Sequence, residues 1–225
     1  MPALPLISII IPVLNEAAQI PGLLQHLQRF VGTEVIFVDG GSTDGTQALL
    51  ERASRPPVDA PRGRANQLNH GASIATGELL LFLHADTRLP PDCMELLKEF
   101  LGSDQQWGRF DVRFDSEHWV FSMIAFFMNQ RSRLSGICTG DQAIFVRRDT
   151  FEAVSGFSLI PIMEDIEVSR RLKRVGSPYR VSTPVVTSSR RWRTRGVFRT
   201  ILLMWSLRLQ YFLGVAPASL ARRYR

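Results

Sequence analysis

Two neighbouring acidic residues stand at the start of a predicted helix in the second half of the chain. Glu164 and Asp165 open the segment Glu164–Val175, and Glu167 follows within the same turn. A carboxylate in a cleft can act as a general base that takes a proton from a hydroxyl group. Acidic residues in a first turn also stabilise a helix through its dipole, and this segment alone favours that alternative.

A glycine-rich turn in the first half could hold a polar ligand. The sequence VDGGSTDGT follows an apolar run and precedes a predicted helix, so it offers backbone N–H groups and the carboxylates of Asp39 and Asp44. It is not a P-loop. In the alternative interpretation, Ser42 or Asp44 only caps the helix while the glycines shape the turn.

The elements that must position these residues alternate between strands and helices. Apolar runs predict strands over Ile7–Val13, residues 34–38 and residues 79–83, and helical patterns cover Ile20–Leu27, the segment after the glycine-rich turn, and residues 64–75. This order predicts an α/β fold with a mainly parallel sheet. Ligands of such sheets bind at the carboxyl ends of the strands, where Asn15, Asp39 and Asp86 all lie.

The second half is less regular and shows neither an internal repeat nor a low-complexity linker. It has predicted strands at residues 109–114 and 143–146, and predicted helices at residues 119–129, 164–175 and 194–213. We expect one domain over residues 1–225. It divides into a first half to about residue 105 that is suited to a nucleotide, a less easily interpreted second half to residue 192, and a basic amphipathic C-terminal helix.

Composition excludes several classes of protein. The chain has 225 residues, of which 45% are hydrophobic and 21% charged, so it can bury a core and disorder is excluded. Cys93 and Cys138 have the spacing of neither a zinc site nor a disulfide framework, which favours a reducing cytoplasm. Residues 1–5 lack the basic start of a signal peptide. The apolar residues 197–215 contain Arg199 and Arg208, which argues against a membrane-spanning helix.

Positive charge is concentrated at the C-terminal end of the chain. Nine arginines fall within the last 36 residues, and the net charge is +6. Such a segment suits phosphates, anionic lipid or nucleic acid. The aromatic and basic interleaving of an RNA-binding surface is missing, so we expect no nucleic-acid partner. The predicted helix over residues 194–213 could rest on anionic lipid, close over the core or form a dimer contact.

Read together and in order, the motifs resemble the family 2 glycosyltransferases, which have the A-type (GT-A), Rossmann-like fold. The segments IPVLNE and VDGGSTDGT match the opening of that family, and PRGRANQLNHG matches its basic-glycine segment. The resemblance implies that Asp39 contacts the nucleobase and that Arg62 and Arg64 meet the base or the diphosphate. It also places five further residues at the nucleotide: Pro12, Asn15, Glu16, Ser42 and Asp44.

The resemblance also implies a divalent metal, Mn²⁺ or Mg²⁺. His84-Ala85-Asp86 stands where the family has its Asp-x-Asp motif, so Asp86 is the predicted metal ligand. His84 replaces the first aspartate. It could support a ligand, bind Mn²⁺ directly, or simply end the strand.

By the same resemblance, Asp165 is the general base and Glu164 positions it. Ser189-Arg190-Arg191-Trp192 occupies the place of the Gln-x-x-Arg-Trp motif of processive members, with serine in the first position. Arg191 and Trp192 could therefore meet the diphosphate or the acceptor, whereas a processive synthase is disfavoured. Asp141 and Gln142 could line an acceptor pocket, although a plain turn explains them equally well.

The expected function is transfer of a single sugar from a nucleotide-diphosphate sugar, with a UDP-sugar favoured, to a small or lipid-linked acceptor. The resemblance implies an inverting displacement. The cysteines favour a cytoplasmic protein, and the C-terminal helix could place it on the inner face of the membrane or form a homodimer contact. The chain is similar to small bacterial members with His-Ala-Asp, which makes a role in forming a modified sugar such as an arsenosugar one expectation. Two alternatives stay open: a sugar-phosphate nucleotidyltransferase, and a non-catalytic module that binds a nucleotide-sugar or RNA.

Overall fold

The structure is a computed structural model that describes residues 6–224. A mixed β-sheet forms the centre of the molecule. The strands are β1 Ile7–Val13, β2 Glu34–Asp39, β3 Val58–Asp59, β4 Leu79–Phe82, β5 Trp107–Phe114, β6 Phe145–Arg147 and β7 Tyr179–Thr187. Their order is β3-β2-β1-β4-β6-β5-β7, and only β6 runs antiparallel to its neighbours. The predicted α/β fold with a mainly parallel sheet is confirmed. The expectation for residues 1–5 lies outside the described residues.

Helices cover both faces of this sheet. They are α1 Ile20–Leu27, α2 Thr46–Arg52, α3 Arg64–Ile74, α4 Cys93–Leu101, α5 Trp119–Ser135, α6 Arg148–Ala153, α7 Glu164–Val175, α8 Arg190–Arg195, α9 Val197–Phe212 and α10 Pro217–Tyr224. Between residues 6 and 224, none of them combines the length and the apolar character that crossing a bilayer requires.

Alternation along β1 explains why helices must pack on both sides. Ile7, Ile9 and Ile11 join one hydrophobic cluster, and Ile10 between them joins the other. A strand buried on both faces needs cover on both faces, as is usual in parallel sheets. Helix α3 packs so tightly on β1 that a Cβ on Gly71 would lie 2.5 Å from Cγ2 of Ile10.

The C-terminal helix differs from the prediction. Instead of one helix over residues 194–213, α8 ends at Arg195 and α9 begins at Val197, with α10 following. Gly196 has φ +83° and ψ 131°, a backbone conformation outside the helical region, so the helix cannot continue through it. The strand predicted from residue 143 begins at Phe145, because Ala143 itself has φ +45°.

A buried carboxylate in β5 joins three arginines. Asp111 accepts hydrogen bonds from Arg109, from Arg133 at 2.8 Å and from Arg180 at 3.0 Å. Burial acts to raise the pKa of Asp111, but the hydrogen bonds from the three arginines outweigh it and hold that pKa below its usual range. The side chain of Arg109 is only 1% exposed, so it depends on this carboxylate for its counter-charge.

Asp111→Asn is expected to lower the free energy of unfolding by about 3–5 kcal/mol, because it leaves the Arg109 cation buried without a counter-charge. Since the folded pKa is depressed, the wild-type contribution is present above the unfolded pKa and lost as the pH falls through the folded one. Urea unfolding at pH 7 and at about pH 3.5 should show the difference shrinking in acid. The exposed Asp104→Asn is the matched control, and an equal effect of both variants would contradict the prediction.

Candidate active site

A cavity of about 770 Å³ opens where β1, β4 and β7 end, with the first residues of α3 and α7 at its edge. Most of the predicted site residues line it: Pro12, Glu16, Arg62, Arg64, His84, Asp86, Asp141, Glu164, Asp165, Arg191 and Trp192. Carboxylates and cations from distant parts of the sequence therefore share one space. A cavity of this size can enclose a nucleotide-sugar-sized ligand.

Asp165 faces this cavity from the first turn of α7. Its Oδ2 accepts a hydrogen bond from the Gly140 N–H at 3.0 Å, and its Oδ1 accepts one from the Ile166 N–H at 2.8 Å. Burial and the adjacent negative charge of Glu164 raise the pKa of Asp165 to about 6. Glu164 is buried, and its Oε1 lies 3.4 Å from Nη1 of Arg64. Asp165 is thus a carboxylate able to accept a proton near neutral pH.

His84 and Asp141 form a pair across the cavity floor. Nδ1 of His84 lies 3.3 Å from Oδ1 of Asp141. Burial acts to raise the pKa of Asp141, but the hydrogen bond and the charge of His84 lower it overall. The short 3₁₀ turn Gly140–Gln142 approaches so closely that a Cβ on Gly140 would lie 2.4 Å from Nε2 of His84. Both ring nitrogens therefore have close neighbours.

Glu16 and Asp86 place two more carboxylates in the cavity. The pKa of Glu16 is raised by burial and by the negative charge of Asp86, while Arg190, 3.5 Å from Oε2 of Glu16, acts in the opposite direction. Within the described residues, this Oε2 is buried and has no hydrogen-bond partner. Two carboxylates thus share one cavity, and the negative charge of Asp86 makes ionisation of Glu16 less favourable in spite of Arg190, so a further cation beside them would be favourable.

These carboxylates fit a divalent metal ion whose remaining ligands come from a substrate. Across residues 6–224, no group of three or more His, Cys, Asp or Glu side chains is arranged to hold a metal ion by itself. Mg²⁺ commonly binds through one or two carboxylates together with substrate phosphates and water. Asp86 and Glu16 supply hard oxygen ligands of that kind.

Four of the predicted nucleotide residues lie outside the lining of the cavity, and three of them, Asn15, Ser42 and Asp44, hold two loops together. Asn15 Oδ1 accepts a hydrogen bond from the Thr43 N–H at 2.8 Å, and its own N–H donates to Ser42 Oγ at 2.9 Å. The buried Asp39 accepts from the N–H of Ser42 at 2.8 Å, and Asp44 from the N–H of Ala17 at 3.0 Å. Gly45, at φ +91°, stands at the N-cap position of α2. Asp44 Oδ1 nevertheless accepts a hydrogen bond at 3.1 Å from the N–H of Thr46, the first residue of that helix, as the capping interpretation expects. Their contact with a nucleotide stays a prediction.

The remaining predicted residues divide between cavity and core. Gln142 is fully buried, and its Oε1 accepts a hydrogen bond from Ser132 Oγ at 2.6 Å, so it supports the turn and does not line the cavity. The guanidinium of Arg191 lies 4.0 Å from the centroid of the Tyr224 ring. Trp192 lines the cavity and packs edge-on against Phe114.

Comparison with known proteins identifies the family. A family model described as Glycosyl transferase family 2 matches residues 8–156. The chain belongs to glycosyl transferase family 2. The match spans β1 from Ser8 through β6, with the glycine-rich turn, the basic segment and His84-Ala85-Asp86, so the family expected from these motifs is confirmed. Glu164, Asp165 and Trp192 lie beyond the matched residues.

Two curated relatives are named as sugar transferases. A PGL/p-HBAD biosynthesis glycosyltransferase of Mycobacterium bovis (strain BCG / Pasteur 1173P2) is 33% identical over 177 residues, covering 70% of this chain and 65% of the relative. An undecaprenyl-phosphate 4-deoxy-4-formamido-L-arabinose transferase of Sodalis glossinidius is 31% identical over 111 residues, covering 44% of this chain and 34% of the relative. The chain thus spans less than two thirds of the length of each of these relatives.

A solved glycosyltransferase shares the fold. The mannosyltransferase PcManGT from Pyrobaculum calidifontis, in complex with GDP-Man and Mn²⁺, superimposes with a TM-score of 0.61 at 22% identity. The superposition covers 83% of this chain and 57% of that one. The GT-A fold predicted from the motifs is therefore confirmed.

Several residues that line the cavity of this family 2 member could not be identified as site residues from the sequence motifs. Gln67 is buried, and its Nε2 donates to the carbonyl oxygens of Val13 and Val38, both at 2.8 Å. A polar residue on the buried face of a predicted helix is a signal that could have revealed it. The residues from α9 and α10 carried no such signal, because their position depends on how the chain folds back: Thr200, Met204, Arg208 and Tyr224.

Proposed function

We propose that this chain transfers a single sugar from a nucleotide-diphosphate sugar to an acceptor hydroxyl, with the help of a divalent metal and with inversion at the sugar carbon. One observation carries the proposal. A half-buried carboxylate with a pKa near 6, Asp165, shares a cavity with the carboxylates Asp86 and Glu16. Asp165 is suited to removing a proton, and Asp86 and Glu16 are suited to holding a metal that binds a diphosphate.

The donor would lie between the strand ends and the basic residues at the cavity edge. Arg62 lies just before α3, Arg64 is the first residue of α3, and Arg191 lies on α8. Guanidinium groups bind phosphate oxygens through paired hydrogen bonds, so these residues would hold the diphosphate. The sequence resemblance favours uridine, whereas the structural neighbour holds GDP-Man. Pro12 and Glu16 would border the nucleoside.

In the reaction, the acceptor oxygen bonds to the sugar carbon as the bond from that carbon to the diphosphate oxygen breaks on the opposite face. Asp165 takes the proton that the acceptor hydroxyl loses. Glu164 keeps the pKa of Asp165 high, and the Gly140 N–H orients its carboxylate. When bound, a divalent cation neutralises charge that develops on the leaving diphosphate, and Asp86 with Glu16 would hold it.

We assign His84 a supporting position in this site. Its Nδ1 faces Asp141, and Gly140 covers the Nε2 side, which leaves it better placed to orient Asp141 than to bind a metal. Asp141 would then accept a hydrogen bond from the acceptor or donor sugar.

The acceptor in this proposal is a small or lipid-linked molecule, and the protein works in the cytoplasm, including at the inner face of the membrane. One relative is named for a transfer involving undecaprenyl phosphate, which supports a lipid-linked acceptor. Ser189 in place of glutamine supports transfer of one sugar over processive synthesis. The one-domain organisation and a homodimer remain predictions.

Calorimetric titration of UDP, GDP and dTDP, each with Mn²⁺, Mg²⁺ or EDTA, tests the donor site. We expect saturable binding of one nucleotide that weakens by at least about tenfold in EDTA. The matching nucleotide-sugars are then screened for transfer. Binding without any turnover would favour a non-catalytic module. Release of pyrophosphate from a nucleoside triphosphate, with formation of a nucleotide-sugar from an added sugar phosphate, would favour a nucleotidyltransferase.

A further inference from the structure

Two helices present large apolar side chains to solvent. On α9 the exposed residues recur every three or four positions, and they are 57% to 76% exposed: Phe198, Leu202, Trp205, Leu209 and Phe212. On α5 the same spacing exposes Trp119, Met123, Phe126 and Phe127. We call these nine residues the apolar platform. Monomeric proteins rarely expose so many large apolar groups together unless the surface meets a partner or a membrane.

Both helices belong to the same side of the molecule. Phe121, Ile124 and Ala125 on the inner face of α5 form a buried cluster, and Val197 and Ile201 of α9 pack against it. The inner faces thus share one core, and the outer faces are exposed on either side of it.

The charges around the apolar platform select its partner. No acidic residue follows Glu167 in the sequence, whereas fourteen lysines and arginines do, and α5 contains no acidic residue. Arg193 and Arg199 are exposed beside the α9 part, whereas the exposed acidic residue Glu117 precedes the α5 part. A second copy of this surface would bring like charges together, but an anionic bilayer offers both an apolar interior and opposite charge. Trp119 and Trp205 suit the boundary between them.

Helix α9 lies between the apolar platform and the cavity of the candidate active site. Thr200, Met204 and Arg208 on the inner side of α9 line the cavity. A helix with its side chains is about 10–12 Å thick, so a bilayer against the outer side would lie about one helix diameter from the cavity.

We propose that the apolar platform docks on an anionic phospholipid bilayer, and that the acceptor hydroxyl belongs to a molecule anchored in that bilayer. The inference rests on the proposed sugar transfer and names its acceptor class and the surface that brings the enzyme to it. Docking buries the aromatic and aliphatic side chains at the headgroup boundary while the flanking arginines meet lipid phosphates.

Flotation of the full chain with vesicles tests docking without any need for turnover. We expect binding to vesicles of phosphatidylcholine with phosphatidylglycerol, and much weaker binding to phosphatidylcholine alone. The double variant Trp205→Gln/Phe126→Gln should bind at least about tenfold less tightly, because two large apolar side chains no longer enter the bilayer. Arg193→Gln/Arg199→Gln should weaken binding by about fivefold for each charge removed.

Val31→Gln is the matched control, since Val31 is 88% exposed and lies outside the platform. It should bind vesicles like the wild type. A blue shift of tryptophan emission on adding anionic vesicles, reduced in the Trp205 variant, reports insertion independently of flotation. Circular dichroism of each variant shows that it is folded.

Two results would overturn docking. One is equal binding by the platform variant and the Val31 control. The other is a dimer in sedimentation that the platform variant abolishes, with no binding of the wild type to anionic vesicles. Nucleotide titration of the same samples distinguishes failure of docking from failure of the proposed function. Normal nucleotide binding without vesicle binding rejects docking alone. Vesicle binding without nucleotide binding rejects the donor site.

Discussion

Asp165→Asn is expected to reduce sugar transfer by about 10²- to 10⁴-fold while leaving nucleotide affinity nearly unchanged. Asparagine keeps the size of the side chain but cannot take the acceptor proton. Single-turnover transfer and calorimetry on the same preparation measure the two effects separately. Glu167→Gln is the matched control, because Glu167 lies on the same helix but pairs with Arg171. Transfer by Asp165→Asn at a near-normal rate would reject Asp165 as the base.

The pH dependence of transfer gives the same assignment a second readout. Burial and the charge of Glu164 raise the pKa of Asp165 to about 6, so the carboxylate is protonated and inactive below that pH. The value of kcat/KM should fall about tenfold per pH unit in acid. Glu164→Gln removes the neighbouring negative charge, lowers the pKa of Asp165 and should move this acid limb to lower pH. If the acid limb of the kcat/KM profile lies at the same pH in Glu164→Gln and in the wild type, Glu164 does not raise the pKa of Asp165.

Asp86→Ala is expected to weaken nucleotide binding by about tenfold or more in the presence of Mn²⁺ and to leave binding in EDTA unchanged. The variant removes a hard oxygen ligand from the cavity without altering the arginines that would hold the diphosphate. Its loss also removes a negative charge that raises the pKa of Glu16, so the remaining carboxylate should ionise more readily.

Asp104→Ala is the control for this variant, because Asp104 is exposed outside the lining of the cavity. Titration of Mn²⁺ at fixed nucleotide concentration makes the comparison direct. An Mn²⁺ dependence that is the same in Asp86→Ala and in the wild type would remove Asp86 from the metal site.

The fold could be predicted from sequence wherever local pattern and tertiary environment agree. The run in β1 and the helical spacing in α1 and α7 specify their own elements, and their bounds were predicted correctly. The strand β7, Tyr179–Thr187, was missed because polar residues and Pro184 interrupt its apolar pattern. Its partner β5 shifts register between Phe110 and Asp111, which accommodates the irregularity. Pairing of this kind depends on the neighbouring strand and is not visible in the segment itself.

The candidate site was also predicted only in part from the sequence. Motif order located the loops that meet at the cavity, including those of His84 and Asp165. It did not reveal the direction of each side chain, so Gln142 was predicted at the cavity and lies in the core. The contact of Tyr224 with Arg191 joins residues that are close only after the last helices fold back. The sequence contains no local pattern for such a contact.

The hydrogen bonds between the loops after β1 and β2 have a consequence for how a donor binds. Asn15, Ser42 and Asp44 fix both loops through hydrogen bonds that lie wholly within the protein. That part of the site is therefore preorganised, and a nucleotide would not have to order it on arrival. Ligands lose less affinity to conformational entropy when their site is rigid beforehand. Substitutions in these three side chains should then weaken donor affinity by loosening the loops, even where the side chains touch no donor atom.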